Sequence, residues 1–214
     1  MGTIFISTYK DIELPQDDVL TPIQVGYAKD FGILRDNTGD NIAEKNRNYS
    51  ELTLFYWIWK NYKDDYIGHY GYRRFLDIKI EDIPERLKFY DFIIGEPFIV
   101  PQDNIAQQFI DCHGKHNWNV LLKGLEDLGY STTFFYNTRD LQYSNLFIAT
   151  YDKFSKYMSW LWNIINKLES RVEIPKEDYQ CFIFAFLAER LFTFYLSYYQ
   201  METRKVPVIF NPNL

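Results

Sequence analysis

Apolar positions recur with two different periods along this chain, and the switches between them predict its elements. Residues 3–7 (TIFIS) form a short β-rich apolar run followed by polar Thr8–Asp11, the form of a buried opening strand. Pro15, Pro22, Gly26 and Gly32 punctuate the next stretch, which reads as irregular as far as Asn48, with residues 36–41 as turn chemistry. At Asn48 the period becomes helical. Asn48 and Glu51 match a capping box, and Leu52, Phe55, Tyr56 and Trp59 fall on one face. Asn61 and Asp64-Asp65 end that helix. Residues 66–70 return to a strand in which Gly68 and Gly71 permit close backbone approach, and it runs directly into Tyr72-Arg73-Arg74.

Further along, residues 83–90 read as a short helix opened by Pro84, residues 91–95 as a strand, and 104–112 and 118–128 as helices. A loop to Asn137 precedes a strand over 145–149. Thr150 then caps a helix whose apolar positions run Phe154, Tyr157, Met158, Leu161, Trp162, Ile165 and Leu168. A second long helix is expected from about residue 176 to 199, behind Pro175, and residues 206–210 can add a last strand. The sequence contains no internal repeat, low-complexity segment or linker. The expectation is an α/β fold in one domain, residues 1–214, with a central, mostly parallel sheet over about 1–150 and a helical part over about 151–200.

Composition sharpens this picture in three ways. The 214 residues include 18 Tyr, 18 Phe and 5 Trp, more rings than an ordinary core hides, so some should line a cleft, where stacking on sugars is one use for them. A net charge of −6 without a polybasic run argues against nucleic-acid binding. Two isolated cysteines, Cys112 and Cys181, fit a reducing compartment. The amino terminus lacks the pattern of a signal peptide, and the greasiest stretch, 181–199, is interrupted by Glu189-Arg190. A soluble cytoplasmic protein is expected, with the aromatic excess leaving peripheral contact at the inner membrane face open.

The leading candidate for chemistry is Tyr72-Arg73-Arg74. Adjacent guanidinium groups at the end of a core strand are costly to bury unless an anion meets them, and their forks match phosphate oxygens. The competing reading is ion pairing with Asp64, Asp65 or Asp77. His113 and His116, near Asp111 and Cys112, suggest a metal cluster at first glance. Gly114 between them spoils a common helical register, so a polar substrate contact is the better reading. His69 reads as a satisfied core histidine and is also a catalytic candidate. Glu177-Asp178 is either plain capping of the last helix or, in Asp178, a general base for an acceptor hydroxyl, with Asp77 the alternative base. Glu189-Arg190 reads as a buried structural bridge. Trp57, Trp118 and Tyr143 are candidates to stack on sugar. There is no G-x-G-x-x-G, P-loop, G-x-S-x-G or H-E-x-x-H, and no Asp-x-Asp to hold a divalent ion on a diphosphate.

Several of these segments, in this order, resemble a bacterial polysaccharide-biosynthesis family long labelled a domain of unknown function. Its hallmark is His-Tyr-Arg-Arg and its members are treated as glycosyltransferases. The segments are Thr8 and Lys10 after the first strand, Pro22-Ile23-Gln24-Val25-Gly26, Gly39-Asp40-Asn41-Ile42 with Lys45-Asn46, Tyr49-Ser50-Glu51-Leu52-Thr53, and Tyr56-Trp57-Ile58-Trp59-Lys60-Asn61. Tyr72-Arg73-Arg74-Phe75, Asn145-Leu146-Phe147-Ile148 and Phe186-Leu187-Ala188-Glu189-Arg190-Leu191 complete them. The resemblance implies a GT-A-like, nucleotide-sugar-binding fold. It implies transfer of a hexose, with galactose as pyranose or furanose expected, from a UDP-sugar to a glycan or lipid-linked acceptor in capsule, O-antigen or exopolysaccharide synthesis. It implies Thr8, Lys10 and Tyr72 as donor-binding residues beside Arg73 and Arg74. Asn46 and Asp77 join them as donor candidates, and His113 and Asn145 are the acceptor candidates. No cofactor is expected beyond the donor itself, with manganese or magnesium an open question, and oligomeric state is not specified. Two departures stand out. Gly71 occupies the hallmark histidine position, with His69 two residues earlier, and Cys181-Phe182 follows Tyr179-Gln180 where an arginine is expected. The alternative is therefore a catalytically impaired carbohydrate-binding or assembly protein on the same fold.

Overall fold

A computed structural model describes residues 2–26 and 29–212. The opening strand β1 (Thr3–Thr8) is followed by β2 (Leu20–Gln24) and β3 (Leu34–Arg35), then helices α1 (Asn46–Tyr49) and α2 (Leu52–Asn61). The middle of the chain forms β4 (Tyr66–Gly71), β5 (Arg74–Leu76), α3 (Ile83–Arg86), β6 (Phe92–Gly95) and β7 (Phe98–Ile99). Next come α4 (Ile105–His113), α5 (Lys115–Glu126), β8 (Asp140–Leu141), β9 (Phe147–Thr150), α6 (Tyr151–Leu168) and α7 (Ile183–Tyr198), then β10 (Thr203–Val206) and β11 (Val208–Phe210).

Nine strands form the main sheet, whose principal order is β10-β6-β9-β4-β1-β2-β3. β1 pairs in parallel with both β2 and β4, while β9 runs antiparallel between β4 and β6. The expected α/β architecture, a mostly parallel central sheet with a helical carboxyl-terminal portion, is the one observed. β1 is buried on both faces. Phe5 points into the large cluster under α2, α6 and α7, while Ile4 and Ile6 point into a smaller cluster with Tyr70, Ile83 and Ile148. Gly68 is required where β4 is squeezed between its neighbours, since a Cβ there would lie 2.8 Å from Ile4 Cγ1 and 3.1 Å from Ile148 Cγ1.

Three of the differences from expectation have a clear physical cause. β2 was hidden by Pro22, a residue that cannot donate to a ladder. Val25 N–H donates to Thr8 O at 3.0 Å, so by alternation Pro22 faces away from β1. On that side β3 pairs only with Ile23 and Gln24, leaving Pro22 at an open edge. The capping box at Asn48 is not formed. The helix breaks at Ser50 (φ 48°, ψ −129°), and Asn48 Nδ2 instead donates to Cys181 O at 3.2 Å. The last helix starts at Ile183 rather than near residue 176, because the preceding segment is held in tertiary contacts, with the Cys181 thiol donating to Arg47 O at 3.4 Å and Cys181 O accepting from Asn48.

Candidate active site

The carboxyl ends of β1 and β4 open on a cavity of about 280 Å³, the position where ligands bind in parallel α/β sheets. Tyr72 and Arg73 form the two-residue turn of the β4–β5 hairpin, with Gly71 paired to Arg74, and all four residues line the cavity. Tyr72 N–H donates to Ser7 O at 3.0 Å, which ties the turn to the end of β1. From the far side β11 backs the hairpin: Phe210 pairs with Arg74 and Asn211 N–H donates to Arg73 O at 2.9 Å.

Both guanidinium groups rest on rings. The Arg73 carbon lies 5.0 Å from the Tyr72 ring and 5.8 Å from Phe210, and the Arg74 carbon 5.2 Å from Phe210 and 5.9 Å from Tyr143. Among the described residues neither is in an ion pair, and Arg73 Nε is buried without a partner. The pairing with Asp64 or Asp65 weighed from sequence fails for a simple reason: those carboxylates precede β4, at the opposite end of the strand from the arginines. Asp77 is exposed beyond β5, and its N–H is bonded to Pro207 O at 2.9 Å. Thr8 lines the cavity and closes a local turn, its hydroxyl donating to Lys10 O at 2.9 Å, while the Lys10 ammonium stands 5.1 Å over the Tyr72 ring.

Across from the arginines stand two carboxylates, Glu51 and Glu189. Glu189, on α7, accepts Ser144 N–H at 2.6 Å through Oε1 and pairs with Arg190 Nη1 at 2.7 Å through Oε2. Burial pushes its pKa above the usual glutamate range, opposed chiefly by Arg190 and then by the Ser144 N–H, with Glu51 adding to the rise. Glu51 sits where α1 and α2 break apart and accepts Asn145 Nδ2 at 2.5 Å. This placement strains the backbone: Ser50 (φ 48°), Ser144 (φ 67°) and Asn145 (φ 48°) are non-glycine residues in left-handed conformations, each costing about 1–3 kcal/mol. Their clustering around one cavity points to a site held in shape by its surroundings.

His69 lines the cavity floor. Its Nδ1 is 2.9 Å from the Asn145 carbonyl, which can only accept, so Nδ1 carries the proton and Nε2 accepts from Ser7 Oγ at 3.0 Å. Burial lowers its pKa and keeps the ring neutral. The core-histidine reading thus holds, with one edge reaching the cavity through Ser7. Asn145 itself is buried behind Ser144.

Other candidates stand elsewhere. Asp178 is wholly exposed, 3.5 Å from Arg47, and does not line the cavity; with α7 starting at Ile183 it does not cap that helix. Asn46 holds the α1–α2 junction, its Nδ2 donating to Ser50 O at 2.9 Å and Thr53 Oγ1 at 3.0 Å. Trp57 and Trp118 are core residues, Trp57 donating to Thr38 Oγ1 at 3.0 Å and Trp118 packed between Phe109 and Phe135, so neither can stack on a sugar; Tyr143 does reach the cavity. Gly114 (φ 89°) separates α4 from α5 and sends His113 and His116 apart. No group of three potential metal ligands occurs among the described residues. An added Cβ at Gly71 would meet nothing within 4 Å, so the hallmark position opens into free space.

His113 stacks on Phe186 at 4.1 Å, and its Nδ1 lies 2.8 Å from Gln180 Oε1. Burial pushes its pKa down from 6.5 to about 4. The unfolded chain therefore binds the proton more readily, and folding stability should fall as pH drops from about 6.5 to 4. The expected loss is about 1–2 kcal/mol once solvent screening of this partly exposed ring is allowed for. Urea melts of the protein and of His113→Gln across that window check it: the variant should lose this component of the slope.

The fold is GT-A-like, with its cavity at the strand ends. The chain belongs to the family described as "Domain of unknown function (DUF4422)", whose model matches residues 3–200. It is also similar to a solved apo structure of the bifunctional glycosyltransferase WbbM, with a TM-score of 0.89 and 25% identity over 99% of this chain and 45% of that one. It thus spans less than half of that protein. No curated protein matches the sequence.

Proposed function

We propose that the chain is a glycosyltransferase that moves a hexose from a UDP-sugar to a hydroxyl of a glycan acceptor. The observation that carries this is the pair of arginines without ion-pair partners among the described residues, lining the same cavity as Glu189. Oriented cations stabilise the charge that develops on a departing diphosphate, and a buried carboxylate with a raised pKa is suited to take a proton. In the proposed step Glu189 accepts the proton of the acceptor hydroxyl, whose oxygen forms a bond to the anomeric carbon. The bond from that carbon to the β-phosphate oxygen breaks, and its electron pair leaves with UDP between Arg73 and Arg74. Thr8, Lys10 and Tyr72 would hold the donor beside them.

The similarity to WbbM supports the transferase class, and the family resemblance makes galactose the first donor to try and a lipid-linked polysaccharide chain the acceptor. No helix among the described residues is long and apolar enough to cross a membrane. A panel of UDP-hexoses, assayed for release of UDP with and without manganese, tests the reading. Turnover of one donor, faster with a sugar acceptor present, is the expected result. Failure of every donor to bind or turn over, with and without the metal, would leave the binding-protein alternative, for which the open space at Gly71 in place of a histidine is the structural argument.

A further inference from the structure

A second cavity, of about 490 Å³, adjoins the first and shares Tyr143, Tyr179, Phe186 and Glu189 with it. Its volume lies within the range of about 300–1,000 Å³ usual for small-molecule sites. Phe98, from the small β7–β8 sheet, forms one wall, and α4 contributes Gln108, Cys112 and His113 to another. Its chemistry differs from that of the first cavity. Aromatic surfaces dominate: Phe98 is 46% exposed and Tyr179 66% exposed, and the Phe186 ring is backed by His113. Polar groups converge among them. Gln180 directs its carbonyl oxygen at His113, and its amide N–H groups have no partner among the described residues. Arg190 is buried at the base, bonded to Gln108 Oε1 at 2.5 Å and to Glu189, while its Nε is buried without a partner.

We infer that this second cavity binds the acceptor, as a hexose ring seated on Phe98 and Tyr179 with hydroxyls toward Gln180 and Glu189. Flat rings beside amide and carboxylate groups suit a sugar, which presents C–H faces and a rim of hydroxyls. Glu189 is the only carboxylate that lines both cavities among the described residues, so a hydroxyl bound on one side can lose its proton there and meet the anomeric carbon on the other. The assignment rests on the transferase reading, yet it can be tested apart from it.

Cys112 provides the means, because it is exposed and lines only the second cavity, whereas Cys181 is buried. Fluorescein maleimide, a bulky thiol reagent, should fill the space. Octyl glycosides of galactose, glucose and N-acetylglucosamine serve as acceptor probes. At least one of them is expected to slow modification of Cys112 several-fold, while UDP alone leaves the rate unchanged. The modified protein should keep its UDP affinity and its slow donor hydrolysis but lose transfer to that glycoside at least tenfold. In the Cys112→Ser protein the reagent must leave transfer at its own untreated level. Phe98→Ala should raise the KM for the glycoside about tenfold with UDP affinity unchanged. Protection by none of the glycosides, or undiminished transfer after modification, overturns the assignment. A protein that fails to bind UDP yet is protected by a glycoside would instead sink the donor reading and keep this site.

Discussion

Replacing Arg73 and Arg74 together with alanine is expected to weaken UDP binding by about a hundredfold to ten-thousandfold in calorimetry. A hydrogen bond to a charged group contributes about 1.5–3 kcal/mol, and about 1.4 kcal/mol corresponds to a factor of ten in affinity. Removing one such bond from each arginine gives that range. The fold should tolerate the change unusually well. Neither guanidinium is in an ion pair among the described residues, and buried Glu189 keeps its partner Arg190 in the double variant, so the melting temperature should move by only a few degrees. The single variants separate the two roles. Arg73, in the turn itself, has a buried Nε in want of a partner, whereas Arg74 lies on β5 between Phe210 and Tyr143. Unchanged UDP affinity in the double variant would remove the diphosphate site and with it the proposed mechanism.

Glu189→Gln is expected to lower kcat by about a hundredfold to ten-thousandfold, the usual contribution of a positioned general base, with UDP affinity nearly unchanged. The amide carbonyl can take over one of the two acceptor roles, toward Ser144 N–H or toward Arg190, while its NH2 faces the other donor and proton acceptance is lost. The cost appears in stability. Arg190 is buried and loses its charged partner, and removing one member of such a pair costs about 3–5 kcal/mol in the worst case, which makes a melting curve a necessary companion to the kinetics. The pH profile supplies an independent readout. A base works ionised, and burial raises the pKa of Glu189 above 4.5, so activity should decline on acidification at a higher pH than for an exposed glutamate. The glutamine variant should lack that limb. Asp178→Ala, which alters an exposed side chain outside the cavity, should leave kcat unchanged; a loss comparable to that of Glu189→Gln would restore Asp178 as the base.

The two carboxylates were written in the sequence but masked by good local explanations. Glu51 completes a capping box on paper, and Glu189 followed by Arg190 on an apolar helix reads as a buried bridge. The bridge is real, yet one turn of α7 also lets Glu189 face the cavity, which depends on where β9 and the Ser144 turn come to rest. No local pattern carries that information. The strands and helices with clear period were legible: β1, β4, β6, α6 and most of α7. Those lost were β2, disguised by its proline, and the short strands β3, β5, β7, β8 and β10, whose pairing is decided largely by neighbours distant in sequence. Ser50 could not be foreseen either, since a left-handed serine is imposed by packing and has no propensity of its own. The arginine pair was legible because burying adjacent cations is costly wherever it occurs, whatever the surrounding fold.

The backing of the arginine turn by β11 has a bearing on how this protein matures. Val208 meets Leu76 across more than half the chain, so this contact requires closure of a very long loop and belongs among the slow, non-local steps of folding. On the proposed reading, nucleotide affinity is then acquired late, after helices and local hairpins have formed. Retention on immobilised UDP would sort finished molecules from misassembled ones that look native by circular dichroism. The family match ends at residue 200, so a version trimmed to that limit would keep α7 and discard the strand that finishes the anion seat.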